Sequence, residues 1–113
     1  MLIKKDKANK KSNSPACVVW EYHFPSKKLG FATTKMNGRY PGAGKMVNEK
    51  VDEIFYVISG KGLIHLGKGK FLMEEGDCFF LDKGEHYWIE AENLFLTVST
   101  APAWFKTQYN HNI

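Results

Sequence analysis

Apolar and polar positions trade places every second residue, from "CVVWEY" at 17–22 to "LFLTVST" at 94–100, and no apolar spacing of three and four is sustained for a helical length. A period of two is the mark of strands with one buried face. It predicts strands at Cys17 to His23, Gly30 to Met36, Lys45 to Asn48, Glu53 to Ser59, Leu63 to Leu66, Lys70 to Met73, Cys78 to Leu81, His86 to Glu90 and Leu94 to Thr100. Between them lie "NGRYPGAG", "SGKG", "GKGK", "EEGD", "DKGE" and "AEN", rich in the residues that tolerate turn geometry. "GKGK" joins "LIHL" to "FLME" as a tight hairpin. Many short strands at this rhythm make an all-β sandwich or barrel.

Length and composition narrow the picture. A chain of 113 residues holds one domain, and 43% hydrophobic with 14% aromatic residues supports a packed core rather than disorder. The net charge of +4 comes from Lys4, Lys5, Lys7, Lys10 and Lys11 beside the one acid Asp6; without that arm the chain is balanced. The expected division is a flexible basic arm over 1–15, the barrel over 16–105 and a polar tail over 106–113, with Trp104 and Phe105 pinning the tail to the body. The body has no interleaving of aromatic and basic residues, so no nucleic-acid partner is expected. Cys17 and Cys78 are too few for a disulfide framework and lack metal or redox spacing, which fits a reducing compartment. No apolar leader follows the lysines and no apolar run reaches spanning length, so the expected location is the cytoplasm, away from membranes.

"EIFYVISGKG", followed by a hairpin and then "EEGDCFFLDKGEHY", resembles the two motifs of the cupin superfamily, G-x5-H-x-H-x(3,4)-E-x6-G and G-x5-P-x-G-x2-H-x3-N. The resemblance covers residues 30–100 and implies a double-stranded β-helix, the jelly-roll cupin barrel. Glu53 and Gly60 keep the E-x6-G spacing. Gly76 and Gly84 keep the glycines of the second motif, with Asp82 at the proline position. Counted four residues back from Glu53, the two histidine positions hold Met46 and Asn48; with the shorter spacing they hold Val47 and Glu49. The second-motif histidine position is Tyr87 and the asparagine position is Ala91, while His86 stands one residue early, on the opposite strand face. "NGRYP", "VNE" and "STAPAW" add a similarity to small single-domain bacterial cupins.

Of the four metal positions that the resemblance implies, only Glu53 remains, and thioether, amide and phenol are weak substitutes for imidazole. No cofactor is therefore expected; a rearranged Fe, Mn, Ni or Zn site using Glu53 with His65, His86 or Glu49 is the alternative. Glu53 reads as the polar anchor of a lumen pocket, or as a structural acid accepting hydrogen bonds from Tyr40, Tyr87 or backbone. Arg39, Met46, Asn48, Phe55, His65 and Tyr87 complete the expected ligand-binding set. Phe55 serves as wall, Asn48 as an amide contact and Arg39 as a guanidinium aimed into the barrel mouth to hold a carboxylate or phosphate.

The expected function is binding of a sugar-like or organic-acid molecule in a metal-free lumen. The alternative is an enzyme with a rearranged site, either a metal-dependent oxygenase or a sugar isomerase or epimerase pairing Glu53 or His65 with Tyr87. Val18, Trp20 and Tyr22 alternate along the first strand and suit pairing with a neighbour's sheet, so a homodimer is expected. Trp88 and Trp104 read as core or dimer-contact aromatics.

Overall fold

The computed structural model describes residues 1–113 as nine antiparallel strands with two short 3₁₀ turns, Lys5–Lys7 and Lys106–Gln108. In chain order the strands are β1 Asn9–Ser14, β2 Cys17–Tyr22, β3 Gly30–Tyr40, β4 Lys45–Asn48, β5 Asp52–Leu66, β6 Gly69–Glu74, β7 Cys78–Leu81, β8 His86–Ala101 and β9 Tyr109–Asn112. The spine is β8. One edge pairs with β3 and, at Tyr87 and His86, with β4; the other runs the length of β5 from Asp52↔Ala101 to Leu66↔Tyr87. Beyond β3 lie β2 and β1, beyond β4 lies β9, and β5 carries β7 on its first half and β6 on its second. The sheet curls around its apolar face, as the all-β jelly-roll expectation required.

β3 runs four residues past its predicted end, and β5 and β8 each join two predicted strands. Glu53, Phe55 and Val57 are buried on β5, and burial resumes at Gly62 and Ile64, so the inward parity flips between them. Register shifts between Val57 and Lys61 account for the flip, as a β-bulge does. Tyr87 and Ile89 on β8 give way in the same manner to Leu94 and Leu96. The two kinks lie side by side. Gly60 takes φ +75°, and a Cβ there would collide with the carbonyl of Asn93, itself at φ +45°. Glycine at the end of the E-x6-G spacing therefore serves a close backbone approach as well as a left-handed angle.

β1 and β9 fall in the segments expected to be a flexible arm and a tail. The polar β1 pairs with β2 from Asn9↔Glu21 to Ser14↔Cys17, and β9 pairs with β4 from Lys45↔Asn112 to Asn48↔Tyr109. Neither strand buries an apolar stripe; backbone pairing holds them, helped by single side-chain contacts such as Lys11 with Glu21 and Tyr109 with Tyr40. β1 also covers the edge of β2 that had been expected to meet a neighbour's sheet. One apolar cluster lines the inside of the curl, running from Cys17 and Val19 through Met36, Phe55 and Ile64 to Leu96.

Candidate functional site

At one end of the curl the apolar cluster gives way to a cavity. It offers about 120 Å³ to the centres of water-sized molecules, space for roughly eight waters, which suits a single ring rather than a string of them. Side chains from β1, β2, β3, β5 and β8 form its wall, closed by Trp104 and Tyr109 from the C-terminal segment.

Glu53 belongs to this wall, on the inward face of β5 and 6% exposed. Its Oε1 accepts a hydrogen bond from Asn48 Nδ2 at 2.9 Å, a carboxyl–amide contact between the head of β5 and the end of β4. Asn48 Oδ1 accepts in turn from Gln108 Nε2 at 2.8 Å and Trp104 Nε1 at 3.2 Å. The two N–H donors fix the orientation of the amide, which turns its NH₂ toward Glu53. Burial pushes the carboxyl of Glu53 up from the ordinary 4.5 to about 7, with the Asn48 bond opposing the rise. Near neutrality this group is shared between its acid and base forms.

Beside it runs a row of phenols. Tyr87 and Tyr109 hydroxyls lie 2.6 Å apart, and Tyr109 meets Tyr40 at 2.8 Å. Asn13 Nδ2 on β1 donates to Tyr40 at 3.5 Å. Burial pushes the Tyr40 hydroxyl up to about 12 and those of Tyr87 and Tyr109 well above the usual phenol value, and the charge of Glu53 adds to the rise in all three. Desolvation likewise lifts the Cys17 thiol to about 12. These groups stay protonated at physiological pH. Thr100 Oγ1 on β8 is buried in the cavity wall and has no hydrogen-bond partner.

The expected site residues separate into two groups. Glu53, Phe55 and Tyr87 line the cavity, with the Phe55 and Tyr87 rings 6.4 Å apart at 65°. Asn48 stands behind Glu53, and Met46 packs in the core opposite Tyr87 in register, so neither lines the cavity itself. Arg39 and His65 point away from it. Arg39 donates to the carbonyls of Pro41 at 2.7 Å and Gly44 at 3.1 Å, and its guanidinium lies 4.1 Å from the Trp88 ring centre. His65 stacks on the same indole at 3.6 Å and meets Glu90 at 3.3 Å. The bulge in β5 explains His65, because the parity flip sends odd positions outward beyond it. Trp88 is thus an outer-face aromatic held between the Arg39 guanidinium and the His65 ring, not a core residue.

Sequence reasoning missed Tyr109, Gln108, Thr100, Lys11 and Asn13 as site residues. Tyr109 stands in a polar stretch without alternation, and only an unexplained aromatic marked it.

The donor set does not fit a metal centre of the kind the fold family implies. The four positions present a thioether, an amide, a carboxyl and a phenol, and no three His, Cys, Asp or Glu side chains converge anywhere in the chain. His86 is exposed beside Asn112 and Glu49 is exposed, so the rearranged set of Glu53 with His65, His86 or Glu49 is not brought together.

Comparison with known proteins agrees with the fold. Residues 40–94 match the family model described as Cupin domain. No curated protein matches the chain in sequence. Among solved structures, Streptomyces Pac13, described as a nucleoside dehydratase, superposes with a TM-score of 0.87 at 12% identity over 99% of this chain and 90% of that one. KdgF from Halomonas sp. gives 0.75 at 18% identity over 92% and 96%, and ectoine synthase from P. lautus 0.77 at 13% identity over 100% and 91%. The matched segment contains both glycine-bounded motifs, so this part of the chain is similar to the Cupin domain, and the solved structures share its barrel fold.

Proposed function

We propose that the protein binds a small sugar-like or organic-acid molecule in its lumen, with Glu53 as the polar anchor. The observation that carries this reading is the pairing of a cavity with unspent hydrogen-bonding capacity. Glu53 uses one oxygen on Asn48, and the buried Thr100 hydroxyl has no partner. A buried polar group left unmade costs about 1–3 kcal/mol, and a ligand hydroxyl would recover it. Structures of Streptomyces Pac13 with uridine support a ring-sized occupant for a barrel of this shape. Val98→Phe fills the lumen from β8, so saturation-transfer NMR with sugars, nucleosides and hydroxy acids should give signals on the wild type that this variant loses while its circular dichroism is unchanged. Signals that survive the filling would place binding elsewhere.

A second reading, catalysis without a metal, is favoured by one observation: Glu53 sits at about 7 beside a protonated phenol row. In that reading the carboxylate takes a proton from carbon next to a carbonyl while Tyr87 O–H donates to the carbonyl oxygen, and return of the proton completes an isomerisation or epimerisation. Incubation in deuterated water should place solvent deuterium on that carbon with the wild type and not with Glu53→Gln. Unchanged exchange in the variant would remove the catalytic reading and leave the binding one.

Two copies are proposed to pair through the outer face of β5 and β7, where Ile54, Tyr56, Ile58 and Phe80 are exposed side by side. No helix is long and apolar enough to cross a membrane, and two free cysteines support residence in the cytoplasm.

A further inference from the structure

The charges around the lumen discriminate between the two ligand classes named above. Of the residues lining it, only Lys11, Glu21, His23 and Glu53 carry or can acquire charge outside the phenols and the thiol. Lys11 is the single lysine, and it is engaged: Nζ lies 3.0 Å from Glu21 Oε2 and 4.3 Å from the centre of the Trp104 ring. Glu21 Oε1 faces Asn9 at 3.3 Å and the exposed His23 at 3.7 Å. Arg39, the only arginine in the sequence, is outside the lumen with its guanidinium spent on two backbone carbonyls. Glu53 is the inverse case. It is buried, it faces the cavity, and no lysine, arginine or histidine pairs with it.

An anion carried inside would meet a carboxyl group and phenol oxygens with no free cation. Its desolvation would go unrepaid, and ionised Glu53 would repel it. A neutral ring bearing O–H or N–H donors meets the opposite situation, with acceptors at Glu53 and Thr100 and apolar surface at Phe55, Val98 and Trp104.

Building on the lumen-binding reading, we propose that the ligand is a neutral ring compound rich in hydroxyl or N–H donors, and that the unpaired carboxyl of Glu53 turns carboxylates and phosphates away. The titratable groups that feel the charge of Glu53 are Tyr40 on β3, Tyr87 on β8 and Tyr109 on β9, held protonated by burial as is Cys17 elsewhere in the wall, with Lys11 and Glu21 paired to each other. Discrimination therefore follows the charge on Glu53, strongest where it is ionised and weakest where it is protonated.

The test uses matched pairs that differ only by the anionic group: D-glucose with D-glucuronate and uridine with uridine 5′-monophosphate. Each is titrated to about 10 mM against the whole chain and followed through the Trp104 indole resonance. At about pH 8 the neutral members should bind at least about tenfold more tightly, and at about pH 5.5 the gap should narrow as Glu53 takes up its proton. His23→Gln keeps the mouth histidine out of the comparison, and Glu53→Gln should abolish the pH dependence of the glucose–glucuronate gap, the pair whose anion keeps one charge across this range, whereas the phosphate of the other pair titrates within it. Anionic members that bind as tightly at about pH 8 would overturn the inference while leaving lumen binding standing. Failure of all four compounds to move the indole resonance would overturn both. The wild-type pH series stands by itself if the Glu53 variant does not fold.

Discussion

Glu53 is buried with an amide for company and no cation, and that placement carries a pH signature. Below about pH 4.5 folded and unfolded chains both hold its proton; between there and about 7 only the folded chain does. Stability from this group should therefore fall as pH rises through that window and level off above it, by about 3 kcal/mol. Glu53→Gln keeps an oxygen for Asn48 and should flatten this component, read as the difference between urea midpoints at the two ends of the window. A variant as pH-dependent as the wild type would refute the assignment. Asn48 is the neighbouring liability: Asn48→Ala strands Gln108, Trp104 and one Glu53 oxygen, and should cost about 3 kcal/mol in chemical denaturation. At this scale the sequence was legible where motif spacing survived. Glu53, Phe55 and Tyr87, singled out through spacing and alternation, stand in one cavity wall, and the count that leaves four residues between Asn48 and Glu53 is the one in which the amide meets the carboxyl. Arg39 and His65 lie outside that wall, and for His65 the face depends on a bulge in β5 that residue types do not announce.

β1 is a polar strand at the sheet edge, and it lends Lys11 and Asn13 to the cavity wall. Removing residues 1–14 should uncover Cys17, now 1% exposed, to thiol reagents. In a Cys78→Ser background, which silences the exposed thiol, the full chain should react slowly with a disulfide reagent and the truncated chain much faster. Equal rates would mean that β1 does not shield the lumen. Strand existence was legible almost everywhere a buried stripe existed. The alternation failed in two physical circumstances: where a bulge flipped the parity of β5 and β8, so that each long strand read as two, and where the polar β1 and β9 had no apolar stripe to read.

For the molecule as a whole, hairpin rhythm left sandwich and barrel both open and the resemblance of the glycine-bounded motifs chose the barrel, whereas the cavity wall was not legible as a unit, because its parts come from distant segments. The proposed pairing of two copies through the outer face of β5 and β7 makes a direct prediction. Sedimentation should give twice the 12.9 kDa chain mass, and Phe80→Glu, at a side chain 55% exposed, should halve it without loss of fold. A wild-type chain that sediments at its single mass at micromolar concentration would sink the proposal. One further feature ties the two edges of the sheet together. Asn13 on β1 and Tyr109 on β9 touch the same phenol, Tyr40. Damage to either edge strand therefore converges on one hydroxyl, and two stretches far apart in sequence are bound to change together wherever that phenol is to keep its company.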